Sequence, residues 1–238
     1  MLVRSLDLLD VSQIMQMKLP ELLKLRPDNL RTSLDPDTLD HIFKECGALW
    51  QHSGDPKDPH MVLASGKCSD GFMDVRCVLK YATLCEIMAA QIADRIIDQS
   101  HMGQFIPDWV IGSDHTGAVL AFEVARQLGV KSDFTQKGIG QKQIWKQVAI
   151  KRGEWVVQVE GLVTSLETLS EVRKGLVRGN PEPIAFMPYV FALVNQSTAS
   201  TFENVPLYEV RSFNFNTWNL KDCPLCAAGS ERIYLKTK

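Results

Sequence analysis

Trp109-Val-Ile-Gly-Ser-Asp-His-Thr-Gly-Ala-Val-Leu-Ala-Phe-Glu-Val-Ala-Arg-Gln-Leu128 reads as a strand, a turn and a helix in succession. The apolar triplet Trp109–Ile111 ends at Gly112, a polar turn follows, and Val119, Phe122, Ala125 and Leu128 then recur at helical spacing. The pattern repeats downstream. A strand at Trp155–Val159 precedes a helical stripe of Leu166, Leu169, Val172 and Leu176, and Tyr189–Val194 is an apolar strand. Upstream, Val78, Ala82, Cys85, Ala89, Ile92 and Ile96 step as one face of a helix of about five turns. Strands that alternate with helices predict an α/β fold with a mostly parallel sheet flanked by helices. In such sheets ligands sit at the carboxyl ends of the strands, which directs attention to the loops after Ile111, Val159 and Val194. No internal repeat is present.

The composition suits a globular protein. The 238 residues are 45% hydrophobic and 23% charged, which excludes disorder of the whole chain. With 26 Lys+Arg against 28 Asp+Glu, the net charge of −2 argues against a protein that coats nucleic acid. The longest apolar run, 184–194, contains Pro188 and is too short for a membrane span of about 20 residues. Asp7 and Asp10 interrupt what would be a signal core, so a cytoplasmic protein with reduced thiols is expected.

Residues 1–30 predict one or two short amphipathic helices, and a further helix follows Asp35-Pro36. Residues 1–36 are read as a helical extension and 37–238 as the main domain. Ser53–Pro59 is a loop by composition, and His60–Ala64 a short strand.

Several loops carry polar groups suited to chemistry. Gly112–Gly117 is either an anion-binding turn at a helix start or a tight turn with an Asp or Thr cap. In Glu160–Thr168, Thr164, Ser165 and Thr168 suit a phosphate and Glu160 suits sugar hydroxyls. The alternative there is a capping box, Thr164-x-x-Glu167, which needs no ligand. Phe134–Lys151 holds Lys137, Lys142, Lys146 and Lys151 with few apolar residues; it reads as a mobile basic flap or as a solvated loop or hairpin. Phe72, in the polar turn Ser65–Arg76, suits stacking on a planar base or a place in the core. Cys223-Pro-Leu-Cys226 has zinc-knuckle spacing, but no second close pair exists and His52 and His60 are far away in sequence, so no metal is expected there.

Taken together, these stretches resemble the orotate phosphoribosyltransferases of the type I phosphoribosyltransferase family. Leu63-Ala-Ser-Gly-Lys-Cys-Ser69 through Asp74-Val-Arg76 is similar to the base-side motif. Val110-Ile-Gly112 through Ala121 is similar to the pyrophosphate strand and helix, and Phe134–Lys137 to the start of the flap that supplies a Lys to the neighbouring subunit. Val156–Thr168 occupies the place of the phosphoribosyl diphosphate signature, and Trp218 through Gly229 resembles the C-terminal tail.

The resemblance implies transfer of ribose 5-phosphate from phosphoribosyl diphosphate to orotate, in pyrimidine biosynthesis, by a homodimer using Mg2+. It implies that Lys137 clamps the diphosphate as the catalytic residue. Lys67 would serve the base side and Phe72 stack on the base. Glu160 would hold ribose hydroxyls, and Thr164, Ser165 and Thr168 the 5-phosphate. It also implies a small base-side hood above the sheet.

Three positions depart from the pattern. Gly161 replaces a second acid, Leu166 stands where Gly is expected, and Gln196 replaces the Arg of the orotate side. A Gln cannot offer a carboxylate the forked, charged pair of an Arg. Weakened activity is therefore expected, the alternative being a non-catalytic homologue that senses a ligand or engages a protein.

Overall fold

The computed structural model describes residues 8–30, 33–102, 105–146 and 148–234. Part of the expected N-terminal helical segment, residues 1–7, and residues 31–32 lie outside them.

A six-stranded sheet forms the centre, in the order 201–202, 205–212, 185–195, 155–163, 109–112 and 131–134. All neighbours are parallel except the edge strand Thr201–Phe202, which pairs antiparallel with Val205–Ser212. Both faces are covered, as a parallel sheet requires. On one face Val157, Val159 and Phe191 pack against Ile87, Met88 and Leu120, from the helices Ala82–His101 and Thr116–Leu128. On the other, Ile111 and Val156 meet Val172 and Leu176 of the helix Glu167–Gly179. The apolar stripe Val78–Ile96 is split between two helices, Arg76–Leu79 and Ala82–His101, because Tyr81 adopts an extended conformation.

The order of connections marks the end of the sheet where such folds take ligands. From Trp109–Gly112 the chain crosses to Lys131–Phe134 at one edge. It then returns to the other side of Trp109–Gly112 as Trp155–Val163 and continues outward to Ala185–Asn195. The direction of winding reverses between Trp109–Gly112 and Trp155–Val163, and the loops leaving those strands diverge over a switch-point crevice.

A second layer stands beside the sheet. A four-stranded sheet in the order 217–218, 68–69, 60–62 and 232–234 joins the base-side segment to the C-terminal tail. The antiparallel pair Leu49–Gln51 and Gly71–Met73 flanks it. The N-terminal helices Val11–Ile14 and Leu19–Leu22 and the helix Pro36–Glu45 are present as expected. They bury Ile14, Leu22, Ile42 and Phe43 in the main core, and Arg211 of the sheet grips Asp40 at 2.8 and 2.9 Å. No helix among the described residues is long and apolar enough to cross a membrane.

Candidate active site

The loop after Trp109–Gly112 is built on two glycines that touch. A Cβ on Gly112 would stand 2.2 Å from the carbonyl oxygen of Gly117, so only glycine permits this turn. A Cβ on Gly117 would come within 2.7 Å of Ser113 Oγ and 3.0 Å of Glu160 Oε2. His115 closes the turn with φ 57° and ψ −107°, a sparsely populated backbone state for a residue with a side chain. His115 sits at the N-cap position of the helix, and no side chain caps it; the expected Asp or Thr cap is not formed. The first turn of this 13-residue helix therefore has no side-chain cap among the described residues.

Glu160 does not face a sugar. Its side chain is buried beneath this loop and accepts hydrogen bonds from Ser113 N at 3.2 Å, Ser113 Oγ at 2.5 Å and Gln158 Nε2 at 3.4 Å. In this structure the carboxyl props the Gly112–Gly117 turn from below. Burial pushes its pKa up to about 7, from an ordinary value of 4.5, and the Ser113 bonds offset part of that shift.

This has a pH consequence. Below the unfolded value both states hold the proton. Between the two values the folded chain keeps it while the unfolded chain releases it, so folding stability falls as pH rises toward 7. The loss then stays, reaching about 3 kcal/mol. Glu160→Gln keeps an acceptor for Ser113 and removes this titration. Chemical denaturation from pH 5 to pH 8 is expected to show the wild type losing stability relative to the variant; parallel profiles would contradict it.

The second loop differs from its expected form. The strand Trp155–Val163 runs four residues past Val159, and the helix begins at Glu167. Leu166 is the N-cap, without a side-chain cap, so the Thr164-x-x-Glu167 capping box does not form. Thr164, Ser165 and Thr168 are exposed around this uncapped helix start. Leu166 has φ −78° and ψ −1°, a right-handed conformation that does not need glycine. Its side chain packs on the apolar cluster of Val163, Leu169 and Val190. Leu166 therefore needs no glycine-like backbone, and its side chain is taken up by that cluster.

At position 161 the structure explains the missing acid. A Cβ there would lie 3.0 Å from both Cβ and Oγ1 of Thr116, so Thr116 occupies the space of a side chain. Gln196 follows the neighbouring strand, and its backbone N–H donates to Val163 O at 2.7 Å. Its Nε2 is buried with no hydrogen-bond partner among the described residues.

The basic segment is held down rather than loose. Gln136–Lys137 pairs with Gln143–Ile144, and Trp145 and Ile150 are buried against Val172 and Leu176. Gly175 and Gly179 admit this packing: Cβ atoms there would stand 2.6 Å from Gln143 O and 2.3 Å from Trp145 O. Lys137 projects from the hairpin and is exposed. The segment thus contains a short hairpin, Gln136–Lys137 against Gln143–Ile144.

On the base side, Gly66 at φ 80° turns the chain between Leu63 and Lys67, and Lys67 is exposed. Phe72 is half-buried opposite Trp50. Asp74 grips Arg76 through Nε at 2.8 Å and Nη2 at 2.7 Å, which holds its carboxyl below the usual carboxylate range. The fold thus brings together the loops of Thr116, Thr164–Thr168 and Gln196 at one end of the sheet, with the Lys67 and Phe72 segment in the adjacent hood.

Magnesium finds little to hold it on this chain. The Glu160 oxygens are engaged by Ser113 and Gln158, and Gly161 offers none. That leaves Asp114 and Glu167 as the carboxylates of these loops, so Mg2+ would have to be held largely by the substrate.

Cys223 and Cys226 do not stand alone. His60 and Cys68 join them, with ligand atoms of all four within 4.8 Å of one another. The expectation of no metal rested on sequence distance, which the hood sheet removes by pairing His60–Val62 with Cys68–Ser69 next to the tail.

No protein-family model matches the chain. It is 31% identical over 172 residues to an orotate phosphoribosyltransferase of Thermoanaerobacter sp. (strain X514), covering 71% of this chain and 84% of that protein. It is 32% identical over 171 residues to that of Caldanaerobacter subterraneus, with coverage of 71% and 84%. Among solved structures, the orotate phosphoribosyltransferase from Aeropyrum pernix aligns with a TM-score of 0.52 at 20% identity, over 74% of this chain and 93% of that one. That from Francisella tularensis aligns at 0.51 and 16%, over 73% and 85%. These structures share the α/β fold.

Proposed function

Because the chain belongs to the orotate phosphoribosyltransferase family, we propose that it binds phosphoribosyl diphosphate at the switch-point crevice and joins its ribose to orotate. The bond formed is from a ring nitrogen of the base to C1′, the proton of that nitrogen passes to solvent or to the departing diphosphate, and the bond broken is from C1′ to the diphosphate, which leaves with its electron pair. The observation that carries this reading is the uncapped start of Glu167–Gly179, ringed by exposed Thr164, Ser165 and Thr168 at the carboxyl end of a parallel strand. Backbone N–H groups and three hydroxyls there suit the 5-phosphate.

The remaining roles are part of the same proposal. The turn Gly112–Gly117 and the helix start at Thr116 face the diphosphate. Lys137 supplies positive charge to the leaving diphosphate, and Lys67 and Phe72 meet the base from the hood. Gln196 donates a neutral hydrogen bond from its unpartnered Nε2. Glu160 is a positioning residue that holds the turn through Ser113. Catalysis of this kind rests on orientation and charge stabilisation, with no covalent enzyme intermediate. Magnesium that arrived with the substrate would supply neutralising charge. The test is formation of orotidine 5′-phosphate and diphosphate, identified by mass, when orotate, phosphoribosyl diphosphate and Mg2+ are mixed with protein in excess.

A second reading draws on Thr116 filling the space beside Gly161 and on the burial of Glu160. With no carboxylate turned to the ribose, the chain would bind phosphoribosyl diphosphate as a ligand sensor without transferring it. Binding without product under excess protein would select this reading.

The protein acts as a homodimer in the cytoplasm under this proposal. An apolar groove of about 590 Å3 lies between the edge strand and two helices, lined by Leu79, Val119, Phe122 and Phe134. Phe122 is 64% exposed there, an unusual place for a large apolar side chain. Light scattering at micromolar concentration is expected to give a dimer, and Phe122→Asp a monomer. A monomeric wild type would contradict the dimer.

A further inference from the structure

We propose that His60, Cys68, Cys223 and Cys226 form a structural zinc site that fastens the C-terminal tail to the base-side hood. His60 lies on the strand His60–Val62, Cys68 on Cys68–Ser69, and the two remaining cysteines on the turn and short helix Pro224–Ala227. The four ligand atoms converge. His60 Nε2 is 3.3 Å from Cys68 Sγ, 3.3 Å from Cys226 Sγ and 3.7 Å from Cys223 Sγ. Cys68 Sγ and Cys226 Sγ are 3.6 Å apart. Tetrahedral zinc, with bonds of about 2.3 Å to sulfur and about 2.0 Å to nitrogen, sets sulfur–sulfur separations of about 3.8 Å and sulfur–nitrogen separations of about 3.6 Å. The observed spacings match that shape.

The surroundings orient the ligands as metal sites require. The Ser230 hydroxyl donates to Asp58 O at 2.6 Å, so its oxygen accepts from His60 Nδ1–H at 2.8 Å. That chain fixes the imidazole tautomer and leaves the Nε2 lone pair aimed at the three sulfurs. The Cys226 N–H points at Cys223 Sγ at 3.5 Å, and Arg232 Nε lies 3.2 Å from Cys226 Sγ. Three thiolates on a divalent ion carry one net negative charge, which the Arg232 guanidinium offsets. A soft sulfur-rich set with one imidazole selects zinc over magnesium or calcium. A Cys68–Cys226 disulfide would leave both the third sulfur and the aimed imidazole unexplained.

The site has a structural role near the base. Its ligands bracket the turn Leu63–Lys67, and Lys67 adjoins Cys68. Metal here would fix the base-side loop against the tail, whatever reaction the crevice performs.

The test uses the untagged full chain, produced in zinc-supplemented medium and purified without chelator. Roughly one zinc per chain is expected by elemental analysis, and Cys226→Ser should fall below roughly a tenth of that while Cys77→Ser, outside the cluster, keeps it. Replacement by cobalt should give thiolate-to-metal charge-transfer bands and the intense visible bands of a tetrahedral ion. Wild-type protein with less than roughly a tenth of a zinc and no cobalt spectrum would overturn the site, as would a Cys68–Cys226 disulfide found by mass in fresh protein.

Discussion

Orotate turnover by the unmodified chain is expected to fall two to four powers of ten below an ordinary rate of about 10 per second. The cause is the loss of charged contacts. Gly161 supplies no carboxylate to the ribose, and Gln196 supplies no cation to the base side. Each lost charged hydrogen bond is worth about 1.5–3 kcal/mol. Gly161→Asp alone is not expected to restore turnover, because its Cβ would stand 3.0 Å from Thr116 Cβ. Overpacking of that kind costs about 1–3 kcal/mol of stability. Joined to Thr116→Gly, which removes the obstructing atoms, Gly161→Asp is expected to fold normally and to raise kcat/KM about tenfold or more. Leu166→Gly is expected to harm the protein, since Leu166 needs no special backbone and packs on Val163 and Leu169. Steady-state assays with thermal melts of each variant check these outcomes. An ordinary rate in the wild type would contradict the account of the departures.

The largest stability effect is expected at Gly112. A methyl group there would lie 2.2 Å from Gly117 O and 2.4 Å from its carbonyl carbon, backbone atoms that cannot turn aside. Gly112→Ala should cost about 3 kcal/mol or more and lower Tm by about 6–12 °C. Because the glycine contact shapes the loop over Glu160, affinity for phosphoribosyl diphosphate should fall with it. Gly129→Ala is the control. Gly129 has φ +70° with no atom near its Cβ position, so its cost is only the backbone conformation, about 1 kcal/mol. Equal melting temperatures for the two variants would show that the turn tolerates a side chain.

The fold was legible because its signals are local. Trp109–Ile111 and Trp155–Val159 announce buried strands, and the stripe from Val119 to Leu128 announces a helix, through periodicities that any parallel sheet imposes. The site was legible only as a set of loops. Which way Glu160 points depends on Ser113, 47 positions away, and on two glycines whose contact no spacing reveals. Leu166 stands where Gly is expected, and that it can do so rests on its right-handed φ and its cluster with Val190, which are tertiary facts. The flap looked loose because Trp145 and Ile150 are sparse in a Lys-rich segment. Their burial depends on Gly175 and Gly179 of a later helix. The same limit hid the cluster of His60, Cys68, Cys223 and Cys226, whose closest members in the fold lie up to 166 positions apart in the chain.

Calorimetric titration of the chain with phosphoribosyl diphosphate and Mg2+ tests most directly whether the uncapped helix start and its three hydroxyls form a phosphoribosyl site. The account predicts one saturable site per chain, weakened about tenfold or more when Thr164 and Ser165 are both replaced by Ala, since two hydrogen bonds of about 1 kcal/mol each are removed. Absence of heat and of competition by ribose 5-phosphate, in protein whose melt shows a native fold, would contradict it.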